Sequence, residues 1–288
     1  MSYLKHLLKK YFQSFWLRSR ISPSVQISQR HLLHFYQLHH QHKEIINLKT
    51  SGFRVFSQFE EDGKILFILA VIGIKNSSFI EIGSDDGINS NCANLALNFG
   101  WHGLFIDANP RSISRGRYFY NHHPNKFGYK PIFVHSKITR KNINDIIRQN
   151  GYAGEVDLLS LDIDGNDYWI WDAITEVNPR IVIIETHNIY GKRNIVVPYD
   201  PEYSFPGKHP QYHGASPVAM VKLGNKKGYR LIGANELGFN FIFLRNDLGQ
   251  DVLREVTIDE VLAHPSCSLD EKGLDPAVLT LPFITPIE

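Results

Sequence analysis

The 288-residue chain is 43% hydrophobic and 12% aromatic, a composition that suits a packed core and excludes extended disorder. Two cysteines, Cys92 and Cys267, exclude a disulfide framework and point to a reducing, cytoplasmic compartment. The net charge of +2 hides an asymmetry, because residues 1–50 set eight basic side chains against Glu44 alone, giving +7 there and −5 over the remainder.

Leu4, Leu7, Leu8, Tyr11, Phe12 and Phe15 recur at helical spacing with Lys5, Lys9 and Lys10 off the stripe, which predicts a basic amphipathic helix. Such a helix suits packing on its own domain, a twin subunit in a homo-oligomer, or a peripheral contact of residues 1–20 with the inner membrane surface. Its apolar residues alternate with Lys and Gln and no small-residue cleavage site follows, so it does not read as a secretory signal. A second helix is expected over Gln29–Leu48, where His31, His34, His39, His40 and His42 match no closed metal site. The longest apolar run, Ile65–Ile74, covers about half a membrane span and reads as a buried helix.

From Gly52 onward helices and apolar strands alternate. Strands are expected at 78–82, 103–107, 131–135, 156–162 and 180–185, separated by helices at 62–72, 91–99, 112–120, 141–149 and 166–174. Uniformly apolar strands joined through helices form a parallel sheet covered on both faces. After a helix at 217–227, strands at 229–233 and 239–244 are joined too tightly to be anything but antiparallel. The predicted fold is therefore α/β, a doubly wound, Rossmann-like, mostly parallel seven-stranded sheet with a terminal antiparallel hairpin and an N-terminal helical extension. The expected divisions are an extension at 1–50, one domain at 51–250 with a lid or substrate loop at 188–216, and an irregular tail at 251–288.

The stretch EIGSDDG, Glu81 to Gly87, follows the first strand with an acidic residue and a turn holding Gly83, Asp85 and Gly87, ahead of Asn91. It is not the G-x-G-x-x-G turn that admits a pyrophosphate, which argues against a nucleotide-sugar dehydrogenase or epimerase. A carboxylate at Glu81 suits a cationic cofactor, and S-adenosylmethionine carries a sulfonium and an ammonium group. Asp107 ends the second strand 24 residues after Gly83, where a carboxylate accepts hydrogen bonds from ribose hydroxyls.

LLSLDIDGNDYWIW, from Leu158 to Trp171, puts Asp162 and Asp164 at the end of the fourth strand, and IVIIETHN puts Glu185 and His187 at the end of the fifth. A period of two predicts that these four converge at the carboxyl edge of the sheet. Two chemistries fit them. Asp162, Asp164 and Glu185 could hold Mg²⁺ or another divalent cation against an acceptor hydroxyl. Alternatively, His187 or a carboxylate raised by its like-charged neighbours acts as general base.

The succession EIGSDDG, LFIDAN, LDIDGNDYWIWDAI and IVIIET, preceded by SQFEEDG, resembles the FkbM-type family of class I S-adenosylmethionine-dependent methyltransferases over about residues 53–245. That resemblance implies O-methylation of a sugar or natural-product hydroxyl, with Glu81, Gly83 and Asp107 lining the cofactor together with Asn91 and Ser136. A looser similarity to metal-dependent sugar O-methyltransferases underlies the cation, although Thr186 stands where their second carboxylate follows the Glu. The acceptor is expected to be a glycan or small molecule, since the acidic body gives no strong nucleic-acid signal. The alternatives are a nucleic-acid methyltransferase and a non-catalytic cofactor-binding module docked through its N-terminal helix.

Overall fold

The computed structural model describes residues 17–42, 47–122 and 130–286. The amphipathic helix expected over Leu4–Phe15 lies outside the described residues. Seven strands, β1 (Ser78–Ile82), β2 (His102–Asp107), β3 (Ile132–His135), β4 (Gly154–Leu161), β5 (Val177–Glu185), β6 (Tyr229–Ala234) and β7 (Asn240–Arg245), form one sheet. Their order is β3-β2-β1-β4-β5-β7-β6. β4 runs parallel to β1 and β5, β2 runs parallel to β3, and β7 is antiparallel to both β5 and β6. This is the Rossmann-like methyltransferase fold with the hairpin at its end.

The helices are α1 (Pro23–Gln41), α2 (Glu61–Ile72), α3 (Ala93–Asn98), α4 (Pro110–His122), α5 (Ile143–Gln149), α6 (Asp167–Ala173), α7 (Pro217–Lys226), α8 (Ile258–Val261) and α9 (Pro265–Lys272). Three depart from expectation. α1 starts at Pro23 rather than Gln29, because the Ser22 side chain accepts from the Val25 N–H and Pro23 fills a first-turn position that needs no donor. The segment expected to be an irregular tail contains α8 and α9, the first closed by a Thr257–Glu260 capping box and the second opened by Pro265. Among the described residues no helix is long and apolar enough to cross a membrane.

The contacts fall into two compact units, Met1–Ile74 with Ser84–Ser136 and Lys75–Gly83 with Lys137–Glu288. In the first, a ladder of buried amides ties α1 to α3. Gln29 and Asn94 exchange bonds of 3.2 and 2.6 Å, and Asn98 Nδ2 reaches Asn94 Oδ1 at 2.8 Å. Tyr36 of α1 meets Phe67 of α2 edge to face at 5.1 Å. The turn before α2 is organised by Asp62, whose Oδ2 accepts from the N–H groups of Val55, Phe56 and Ser57 and from the Ser57 hydroxyl. Burial nevertheless pushes the Asp62 carboxyl up to about 6. The SQFEEDG stretch is thus a carboxylate-held turn opening a buried helix.

In the second unit Asp157, fully buried on β4, accepts from the N–H groups of Lys75 and Asn76 and from Arg180 Nη1 at 2.7 Å. It fixes the entry to β1 against β4 and β5. Asp157→Ala would strand a buried guanidinium, and the expected loss is about 3–5 kcal/mol of stability. Urea unfolding should show a lower midpoint with an unchanged slope.

Candidate active site

Parallel registry within the second unit pairs Ile82 with Leu161 and Leu161 with Ile184. The next residues along β1, β4 and β5 are Gly83, Asp162 and Glu185, so the three strands open at one level. Gly83 is required there by contact. A Cβ on it would lie 1.5 Å from the Asp162 carbonyl oxygen, and its φ of +82° already favours glycine. The Asp162 N–H in turn donates to the Ile82 carbonyl at 3.0 Å.

Asp162, Asp164 and Glu185 each present a carboxylate oxygen within 4.8 Å of the others. Strand alternation does not bring Asp164 to this cluster, because β4 ends at Leu161 and Asp164 adopts a left-handed φ of +57°. The turn is held instead by Asp167, a residue the sequence reading missed. Its carboxylate accepts from the Ile163 and Gly165 N–H groups at 2.8 and 2.9 Å, with only 2% of the residue exposed. The D-x-D-G-x-D spacing is the signal that could have found it.

Burial and like charge set the electrostatics. Desolvation, then Asp167, Asp164 and Glu81, push the Asp162 carboxyl up to about 8. Glu185 is raised well above the ordinary range by desolvation, then by Asp162, Asp167 and Asp164. Asp167 is pushed up to about 6 by burial, against its two backbone donors. Glu81 is itself 5% exposed at the end of β1. Three hard oxygen donors crowded at mutual cost fit a divalent cation of the Mg²⁺ or Mn²⁺ type.

His187 does not join the carboxylates. Its Nε2–H donates to the Gln211 carbonyl at 3.2 Å and its ring lies 4.0 Å from that of His213. Burial and His213 push it down to about 3, so it is a neutral and weak base. The expected quartet is therefore a carboxylate trio, supported by Asp167.

The stretch expected as a lid or substrate loop is tied to its surroundings by backbone bonds. The Val197 N–H donates to Gly214, Ser216 N–H to Ile195, Gly214 N–H to Gly165, and Val196 pairs with both Ala215 and Ile284. It borders a partly open cavity of about 470 Å³ lined by Gly165, Asn166, Tyr199, Tyr203, Tyr212 and His213, among others. Tyr203 is half-buried, and burial, then Asp164, Asp167 and Glu185, push its phenol up to about 12.

The first unit carries the remaining expected cofactor residues. Asp107 Oδ2 accepts from the Asp85 N–H at 2.8 Å and Oδ1 from the Asn109 N–H at 2.7 Å. It does not cap α4, because Asn109 does that through the Arg111 N–H. Asp85 is exposed at a φ of +47°, and its carboxylate meets Arg115 at 3.2 Å. Gly87 has a φ of +66°, and its carbonyl accepts from Tyr120. Asn91 is half-buried ahead of α3, and the Ser136 N–H donates to the Asp107 carbonyl.

No family model matches the chain, and no curated protein matches it in sequence. Similar solved structures include a SAM-dependent methyltransferase from Methanosarcina mazei, at 14% identity and a TM-score of 0.39, covering 58% of this chain and 92% of that one. A S-adenosylmethionine-dependent methyltransferase from Clostridium acetobutylicum gives 11% and 0.39, over 62% and 87% of the two chains. An O-methyltransferase family protein from Burkholderia thailandensis gives 12% and 0.38, over 64% and 58%. The fold assignment rests on the strand order of this chain.

Two outcomes are expected. Gly83→Ala should cost about 3 kcal/mol or more, since a backbone carbonyl must move, and chemical denaturation would register it. The carboxyls of Asp162 and Glu185 are raised on folding, so they favour the fold below about pH 4 and lose that advantage as pH rises through the folded value. The metal-free protein should melt at progressively lower temperature from pH 5 to pH 9, and Asp162→Asn should flatten the decline.

Proposed function

We propose that the protein is an S-adenosylmethionine-dependent O-methyltransferase of the FkbM type, acting on a hydroxyl of a sugar, polysaccharide precursor or natural product. The observation that carries this reading is the carboxylate trio at the carboxyl ends of β4 and β5, in a sheet of methyltransferase strand order, with a partly open cavity lined by the adjoining Gly165 and Asn166. Such an edge is where open α/β sheets bind ligands.

Glu81 supplies buried negative charge suited to the cofactor's cationic methionine end. Asp107 spends one lone pair on each of its two backbone donors, leaving acceptor capacity for the ribose hydroxyls. Gly83 in the second unit, and Asp85, Gly87, Asn91 and Ser136 in the first, are the further residues proposed for the cofactor. Transfer is an in-line displacement: the acceptor oxygen bonds the methyl carbon, the carbon–sulfur bond breaks, and S-adenosylhomocysteine leaves. With no cation bound, Asp162, whose carboxyl burial and its like-charged neighbours push up to about 8, is matched to take the hydroxyl proton. Asp162, Asp164 and Glu185 would hold a divalent cation, which when bound lowers the pKa of the acceptor hydroxyl. His187, as a weak base already donating to Gln211, has no part in proton transfer.

Calorimetry should show S-adenosylmethionine and S-adenosylhomocysteine binding, weakened about tenfold or more in Asp107→Ala. Labelled methyl transfer to a panel of glycans and small alcohols should fall on adding EDTA and in Asp162→Asn. Absence of cofactor binding overturns the reading, whereas transfer insensitive to chelation removes the cation alone.

A further inference from the structure

Three acids gather in the first unit, and one arginine holds two of them. Asp85 and Asp86 are consecutive in the turn ahead of α3, and Asp107 closes β2. The Asp85 N–H donates to Asp107 Oδ2 at 2.8 Å, so the residue that orients Asp107 also brings a like charge beside it. Asp85 does this from a left-handed φ of +47°, a conformation that a residue with a side chain keeps only where its surroundings impose it.

The surroundings are one face of α4. Arg115 Nε donates to Asp86 Oδ2 at 3.1 Å, and its Nη2 donates to Asp85 Oδ1 at 3.2 Å, to Asp85 Oδ2 at 3.4 Å and to Ser112 Oγ at 3.3 Å. A planar guanidinium thus bridges two consecutive carboxylates, which a point-charge ammonium cannot do in the same geometry. Asp86 is buried and its Oδ1 accepts from the Ile88 N–H at 3.2 Å, which ties the turn on its far side. The helix comes this close because residue 116 is glycine: a Cβ there would lie 2.6 Å from the Asp86 carbonyl oxygen. One turn further on, the Tyr120 hydroxyl donates to the Gly87 carbonyl at 2.6 Å. Ser112, Arg115, Gly116 and Tyr120 share a face by helical spacing, and that face holds the turn.

We propose that Arg115 is a positioning residue for the cofactor: by bridging Asp85 and Asp86 it fixes the Asp85 N–H on Asp107, and so sets the angle at which Asp107 meets the two ribose hydroxyls. This rests on the methyltransferase reading, which makes Asp107 the ribose acceptor. The test is a double-mutant cycle on the full chain, with S-adenosylhomocysteine titrated calorimetrically into the wild type, Arg115→Ala, Asp107→Ala and the double variant. Arg115→Ala should raise Kd about five- to tenfold in the wild-type background and less than about twofold once Asp107 is gone, because its effect passes through that carboxylate. A merely structural loss would weaken binding equally in both backgrounds. Arg115→Lys, which keeps the charge without the fork, should recover only part of the affinity, and it runs the same cycle if the alanine variant fails to fold. An unchanged Kd in Arg115→Ala, losses that multiply in the double variant, or full recovery by Arg115→Lys overturns the proposal alone. A wild-type protein that does not bind S-adenosylhomocysteine overturns the methyltransferase reading, and the proposal with it.

Discussion

Carboxylates that end adjacent parallel strands repel one another, and the second unit is arranged around keeping them together. Registry from β1 through β4 to β5 leaves no freedom in where Asp162 and Glu185 emerge. The absence of a side chain at Gly83 lets the Asp162 carbonyl approach, and Asp167 clamps the turn that carries Asp164. Folding energy from an apolar sheet is thereby spent on holding charge out of water, the usual condition for a group whose proton affinity must be displaced. The Asp157–Arg180 pair belongs to the same unit and makes the opposite use of burial, being satisfied on both sides and chemically quiet.

The strands and their order were legible because buried parallel strands announce themselves as continuous apolar runs. Their limits in the structure fall within three residues of those expected from sequence for every strand, the widest gap being Val177 against Arg180 at the start of β5. What sequence could not supply was the behaviour of turns. Counting by two from Asp162 and Glu185 assumes that a strand continues, yet β4 stops at Leu161 and β5 at Glu185. Asp164 reaches the cluster by a left-handed kink, and His187, past the end of its strand, turns to the Gln211 carbonyl. Asp167 was overlooked because an acid in the first turn of a helix has an ordinary explanation.

The first unit shows buried polar groups used as packing contacts beside an apolar helix. Asp62, the Gln29–Asn94–Asn98 amides and Asp107 each bind several backbone or amide donors at once. α1 consequently has a buried polar seam against α3, while Ile27, Phe35 and Leu38 stay exposed. Arrangements of this kind are specific in direction, because each partner must be present for the others to be satisfied.

The pairing of Val196 with Ile284 has a consequence in time as well as in space. Tyr212 donates to the Pro282 carbonyl, Asn194 to that of Pro286, and Gln211 exchanges bonds with the backbone of Gly273 and Asp275. On a ribosome the loop emerges well before any of these partners. The strands can pair and the acids can crowd at their edge while the wall of the cavity still lacks its outer supports. The loop therefore cannot gain these supports until residues 273–286 have been made.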